Sequence, residues 1–217
     1  MHVVFALDRA GLVGADGPTH HGVFDLTFLR MLPQMVIMAP KDEAELRNML
    51  YTAIEYKDGP IAIRYPRGSA LGVEVKEEFE IISIGKGELL RSGKDIVILA
   101  VGNMVRFATE AADRLLIENI SVEVINMRFI KPLDTELLDK IAEKFDKIIT
   151  VEENSIVGGF GSGVLEYFAD KGYRNNILRL GLPDLYVEQG TQEQLYEILK
   201  IDADGIVENV KEYLDKK

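Results

Sequence analysis

The stretch VVFALDRAGLVGADGPTHHGVFDLTFLRMLPQMVIMAP, residues 3–40, contains the changes of pattern that decide the fold. Val3 to Leu7 is a short, β-branched apolar run of the kind that forms a fully buried strand. Gly11, Gly14, Gly17 and Gly22 then exclude regular structure, so a long glycine-rich loop follows. Phe24, Phe28 and Leu32 recur at four-residue spacing, one helical face within 23–32, and Met35 to Met38 reads as a second buried strand.

Working outward, Asp42 with Glu45 three residues later is a capping-box-like helix start. Leu46, Met49, Leu50, Ala53 and Ile54 supply that helix's apolar stripe, and Asp58-Gly59-Pro60 stops it. Ile61 to Tyr65 gives a third strand, ending at Pro66, Arg67 and Gly68. Alternating strands and helices with short joins predict right-handed parallel crossovers, so residues 1 to about 68 read as half of a doubly wound sheet. Because Met1 runs almost directly into the first strand, this unit reads as a truncated parallel-sheet domain, the chain beginning inside it.

Residues 69 to about 94 change texture, with an acidic run at Glu74 to Glu80 and glycines at 85, 87 and 93, consistent with a linker plus a hairpin. The domain boundary is placed here, giving 1–78 and 79–217. A second alternation follows: a strand at Ile96 to Val101, a helix over 104–118, a strand at 121–126, a helix capped by Asp134, and a strand at Ile148 to Val151. After Gly158 to Gly163 come a helix, a strand near Ile177 to Leu180, and helices capped by Thr191 and Asp202. This half reads as a complete α/β domain.

Composition narrows the function classes. With 217 residues and 47% hydrophobic content the chain can bury a substantial core. A net charge of -11 opposes encounters with nucleic acid or an anionic membrane. The absence of cysteine removes disulfides, thiolate metal sites and thiol nucleophiles. Neither an apolar span nor a secretory signal is present, so a cytoplasmic protein is the expectation.

In an open parallel sheet, ligands bind beyond the carboxyl ends of the strands. Arg9 and Arg67 both follow strand ends, and two guanidiniums beside a glycine loop in an acidic protein suggest a specific anion such as a phosphate ester. The loop itself sets Asp16 four residues before His20, a carboxylate and an imidazole able to relay protons, although such loops are also common connectors. These four residues are expected to cluster on one sheet edge, with the loop mobile. Gly158 to Gly163 fits no phosphate-loop register and reads as a structural turn. Glu152 and Glu153, adjacent on a strand, face opposite sides and do not form a working pair. Arg64 is expected to lie along the strand edge or pair with an acid.

The segments FALDRAGLVGADGPTHHGVFDLTFLR, MAPKDEAELRNML, GPIAIRYPRG, VEENSIVGGFGSGV and GLPDLYVEQGTQEQL together resemble the 1-deoxy-D-xylulose-5-phosphate synthase family of the transketolase superfamily, in family order over nearly the whole chain. The resemblance implies a pyrimidine-binding-type domain followed by a transketolase C-terminal-type domain. It implies a thiamine-diphosphate-dependent transferase that condenses pyruvate with glyceraldehyde 3-phosphate, with loss of CO2, to a precursor of isoprenoids, thiamine and pyridoxal. It further implies that Arg9 and Arg67 hold the aldehyde's phosphate and that Asp16 and His20 form the acceptor-site pair, while His21 has no assigned role. The family's magnesium and diphosphate motif and its cofactor-activating glutamate have no counterpart here. The expectation is therefore a C-terminal fragment of a homodimeric enzyme, inactive alone, binding neither thiamine diphosphate nor Mg2+. Alternatives are a split transketolase or 2-oxo-acid dehydrogenase β-type subunit, and a non-catalytic module that binds a phosphorylated metabolite.

Overall fold

A computed structural model describes residues 1–216. The first half comprises β1 (Val3–Ala10), α1 (Asp25–Arg30), β2 (Val36–Met38), α2 (Glu43–Glu55) and β3 (Pro60–Pro66). The second comprises β4 (Glu88–Arg91), β5 (Ile96–Ala100), α3 (Met104–Ile117), β6 (Val122–Asn126), β7 (Phe129–Lys131), α4 (Thr135–Lys144), β8 (Lys147–Ser155), α5 (Phe160–Lys171), β9 (Asn176–Leu182), α6 (Gln192–Ile198) and α7 (Ala203–Asp215).

One sheet has the order β1-β3-β2-β7 and the other β4-β6-β5-β8-β9. Within each, the central strands are parallel, as the crossovers require. Each also carries one antiparallel edge strand, β7 on β2 and β4 on β6. The fourth strand of the first sheet thus comes from the second half of the chain. Residues 129–131 escape a reading by apolar runs because a three-residue edge strand carries no measurable period.

Two further expectations change. β1 is an edge strand, and Phe5 is 41% exposed: with no strand on one side, fewer neighbours cover it. The predicted hairpin in 69–94 is instead a single strand, β4, which crosses to β6; the preceding residues run along α2 without strand pairing. That segment is tied down by side chains of α2. Glu43 accepts from the amides of Leu71, Gly72 and Val73, and Arg47 donates to the carbonyls of Lys76, Glu77 and Glu78.

The helix caps follow the sequence. Asp42, Asp134, Thr191 and Asp202 each accept a first-turn amide, and Thr191 with Gln194 forms a full capping box. The core does not divide at the linker. Leu26, Leu29 and Ile37 of the first half pack with Val97, Leu99 and Phe160 of the second. Leu12 and Val23, at the two ends of the glycine loop, are buried among Val151, Leu195 and Tyr196.

Candidate functional site

The glycine-rich loop is closed at its neck. Gly11 and Gly22 exchange backbone hydrogen bonds of 2.8 and 2.9 Å. A side chain at Gly22 would lie 2.2 Å from the Arg9 carbonyl oxygen, so only glycine permits this approach. Arg9 itself sits in the left-handed region at φ 57°, where β1 bulges out of register with β3. Beyond the neck, Gly14–Asp16 forms one turn of 3-10 helix, and His21 turns inward to accept the Val13 amide on Nδ1 at 3.1 Å. The loop expected to be mobile is hydrogen-bonded along its length.

Of the four residues singled out by sequence, the structure joins two. Asp16 and Arg67 form an ion pair, Arg67 standing just past the carboxyl end of β3. Arg9 and His20 lie in the same edge region, both exposed. Among the described residues neither makes a side-chain hydrogen bond or ion pair to Asp16 or Arg67; His20 has its Nδ1 2.9 Å from Thr19 Oγ1. The expected cluster is therefore one ion pair flanked by an unpaired guanidinium and an imidazole.

Arg67 also lines a cleft of about 780 Å³ between the halves, together with Lys41, Tyr65, Asn103, Arg106 and Gln192. Lys41 follows β2, Tyr65 lies at the carboxyl end of β3, Asn103 caps and Arg106 sits in the first turn of α3, which follows β5, and Gln192 opens α6. Asn103 and Arg106 were missed in the sequence, although the carboxyl-end rule that selected Arg67 applies equally to the residues after β5.

Behind the loop lies a buried polar layer. Arg64, 4% exposed, pairs with Asp25 through Nε at 2.8 Å and donates through Nη2 to the carbonyls of Gly22 at 2.8 Å and Glu153 at 2.6 Å. It pairs with an acid as expected, and it also bolts α1, the loop neck and β8 together. Glu152 and Glu153 do face opposite ways. Glu152 accepts the amides of Phe160 and Gly161 at 2.7 and 2.8 Å, which caps α5. Burial pushes its carboxyl up to about 7 against the pull of those two amides. Glu153 Oε1 accepts from the Leu12 amide and from the Tyr196 hydroxyl, both at 2.7 Å. Burial raises its carboxyl too, and burial followed by the Glu153 charge raises the Tyr196 phenol.

The turn at Gly158 to Gly163 is structural in this geometry, since the donors at the α5 N-terminus are already occupied by Glu152. Among the described residues no three His, Asp or Glu side chains converge to hold a metal ion, and no helix is long and apolar enough to cross a membrane.

Comparison with known proteins agrees with this architecture. The family model for the transketolase pyrimidine binding domain matches residues 1–71, and that for the transketolase C-terminal domain matches residues 85–206. The 1-deoxy-D-xylulose-5-phosphate synthase of Aquifex aeolicus is 54% identical over 98% of this chain, which covers 33% of that protein. The synthase of Geobacillus sp. is 49% identical over 100% of the chain and 35% of its own length. The chain thus spans about a third of the length of these relatives. Among solved structures, a split-gene transketolase described as an inactive β4 tetramer matches with a TM-score of 0.83 and 33% identity, covering 98% of this chain and 66% of that one. A transketolase mutant from Pichia stipitis, 19% identical with a TM-score of 0.74 over 99% of this chain and 30% of its own, shares the fold. With its two matched domains, the chain belongs to the transketolase family.

Proposed function

We propose that this chain supplies the acceptor side of a thiamine-diphosphate-dependent synthase that condenses pyruvate with glyceraldehyde 3-phosphate, releasing CO2 and forming 1-deoxy-D-xylulose 5-phosphate. The observation that carries this reading is the Asp16–Arg67 pair at the carboxyl edge of the first sheet, in a chain about half identical to such synthases. Side chains of Arg67 and Asp16 are 53% and 34% exposed, so an incoming phosphate reaches the guanidinium and displaces the carboxylate. A dianion outcompetes a single carboxylate for that fork of donors. Released, Asp16 accepts a hydrogen bond from a substrate hydroxyl. His20 donates to the carbonyl oxygen and passes a proton to it as the new bond forms. Arg9 completes the phosphate site from β1.

Thiamine diphosphate and Mg2+ are assigned to no residue of this chain. Its donors do not fit a magnesium-diphosphate anchor: no three candidate ligands converge among the described residues, and the backbone donors of α5 are filled by Glu152. In this reading other parts of the enzyme hold the cofactor, the division between the two domains lies at 78/79, and the complete enzyme is a cytoplasmic homodimer. Calorimetry tests it. Glyceraldehyde 3-phosphate should bind the chain, and Arg67→Ala should weaken it by about ten-fold or more. Tight binding of thiamine diphosphate with Mg2+, or turnover of pyruvate by these 217 residues, would overturn the division of labour.

A second reading is favoured by the split-gene neighbour: this chain pairs with a separately encoded partner that carries the cofactor. An in-frame upstream coding region carrying the cofactor motif excludes it, and a separate upstream gene supports it.

A further inference from the structure

We propose that Glu153, on β8 of the second half, is a positioning residue for the Gly11–Gly22 loop, holding Asp16 and His20 where a phosphorylated aldehyde meets them. This rests on the acceptor-site reading and adds to it a residue with no place in the substrate site itself.

The case begins at Leu12, one residue inside the loop neck. Its side chain is fully buried in the core of the second half, beside Leu195 and Tyr196. Its amide donates to Glu153 Oε1 at 2.7 Å, and its carbonyl accepts from Gln192 Nε2 at 2.5 Å. Both backbone groups of one residue are thus satisfied by side chains of the other half, over 140 residues away in sequence. The carboxylate is itself aimed by the Tyr196 hydroxyl, which donates to the same oxygen at 2.7 Å and receives Asn103 Nδ2 at 3.2 Å.

Space confirms how closely the loop follows this carboxylate. A Cβ at Gly11 would stand 2.0 Å from Glu153 Cδ. Farther along, a Cβ at Gly14 would meet the Gly190 carbonyl at 3.1 Å, and one at Gly17 would meet Gln189 Cβ at 3.4 Å. The glycines fit the loop against the residues leading into α6, and Glu153 and Arg64 hold its root at Leu12 and Gly22. A buried acceptor serving two donors has few alternatives, so its removal leaves the Leu12 amide buried and unpaired. The loop then gains other conformations, and the Asp16–Arg67 geometry is held for a smaller fraction of the time.

The test uses the full chain in three variants, with amide hydrogen exchange of residues 11–22 and calorimetric affinity for glyceraldehyde 3-phosphate as readouts. Glu153→Ala should speed exchange across the loop by about ten-fold while leaving β5 amides unchanged, and should weaken affinity by a similar factor. Glu153→Gln, which keeps the acceptor oxygen, should restore both to within about three-fold. If the alanine variant does not fold, Tyr196→Phe, which only frees the carboxylate to turn, should speed exchange at Leu12. Loop exchange at the wild-type rate in Glu153→Ala, or in Tyr196→Phe where the alanine variant does not fold, overturns the proposal, as does faster exchange with unchanged affinity or a glutamine variant no better than the alanine one. Absence of binding by the wild type overturns the acceptor-site reading instead, while the exchange measurement still decides whether Glu153 holds the loop.

Discussion

Two glycine-rich segments follow strands in this molecule, residues 11–22 after β1 and 158–163 after β8, and they differ in where their polar groups point. In the second, Glu152 fills the position an anion would occupy at the start of α5, so the turn is closed by its own chain. In the first, the neck is fastened by Arg64, Glu153 and Gln192, whereas Asp16 and His20 remain exposed beyond it. Glycine content alone does not distinguish them. A glycine-rich turn is available to a ligand when its donors and side chains are free, and adjacent glutamates on β8 close one turn and support the other.

The largest expected effect breaks the fastening of the first segment. Replacing Arg64 with Leu removes the partner of Asp25 and the donor to Gly22 and Glu153, and should cost about 3–5 kcal/mol in urea denaturation. A loss under about 1 kcal/mol would mean the neck is held by other contacts.

Next, Glu152→Gln probes the closed turn through pH. Burial lifts the carboxyl from the usual 4.5 to about 7 in the folded chain, so this group favours folding below pH 4.5 and loses that contribution as pH rises through 7. The rise corresponds to about 3 kcal/mol. Glutamine does not titrate. The stability of the variant relative to wild type should therefore increase by about that amount between pH 4 and pH 8, and a difference independent of pH would show that the carboxyl is not so perturbed. Glu153 titrates in both proteins and drops out of the comparison.

The smallest effect belongs to the open loop. Asp16→Asn removes an exposed ion pair and should change stability by less than about 1 kcal/mol. Inorganic phosphate should bind the variant up to about five-fold more tightly, because the competing carboxylate is gone. Equal affinity in calorimetry would show that Asp16 and phosphate do not share Arg67.

Much of the architecture was legible in the residues. The parallel strands at the centre of both sheets are apolar runs, and Asp42, Asp134, Thr191 and Asp202 cap helices as their types and spacing predict. α1 falls within the predicted 23–32, but Phe24, Phe28 and Leu32 are exposed and Leu26 and Leu29 carry its buried face. The edges were not legible. β1 has the composition of a buried strand yet lies at the rim, and β7 is too short to show a period yet joins the sheet of the other half. Among the site residues, the structure pairs Arg67 with Asp16, where the sequence reading set Arg9 beside Arg67 and Asp16 beside His20. Arg9 and His20 make no side-chain hydrogen bond or ion pair to that pair among the described residues. Asn103 and Arg106 required only consistent use of the same rule.

By itself, the sequence determined the two α/β alternations, the glycine loop after β1 and the charged residues at strand ends, because period, capping and glycine placement act over a few neighbours. Only the tertiary structure decided that the two halves share a core, that Glu152 seals one glycine turn, and that Glu153 and Arg64 secure the other. The Arg64 and Glu153 contacts join residues tens to more than a hundred positions apart, Glu152 reaches amides eight and nine residues on across the turn, and a buried carboxylate's role depends on which amides the fold brings to it.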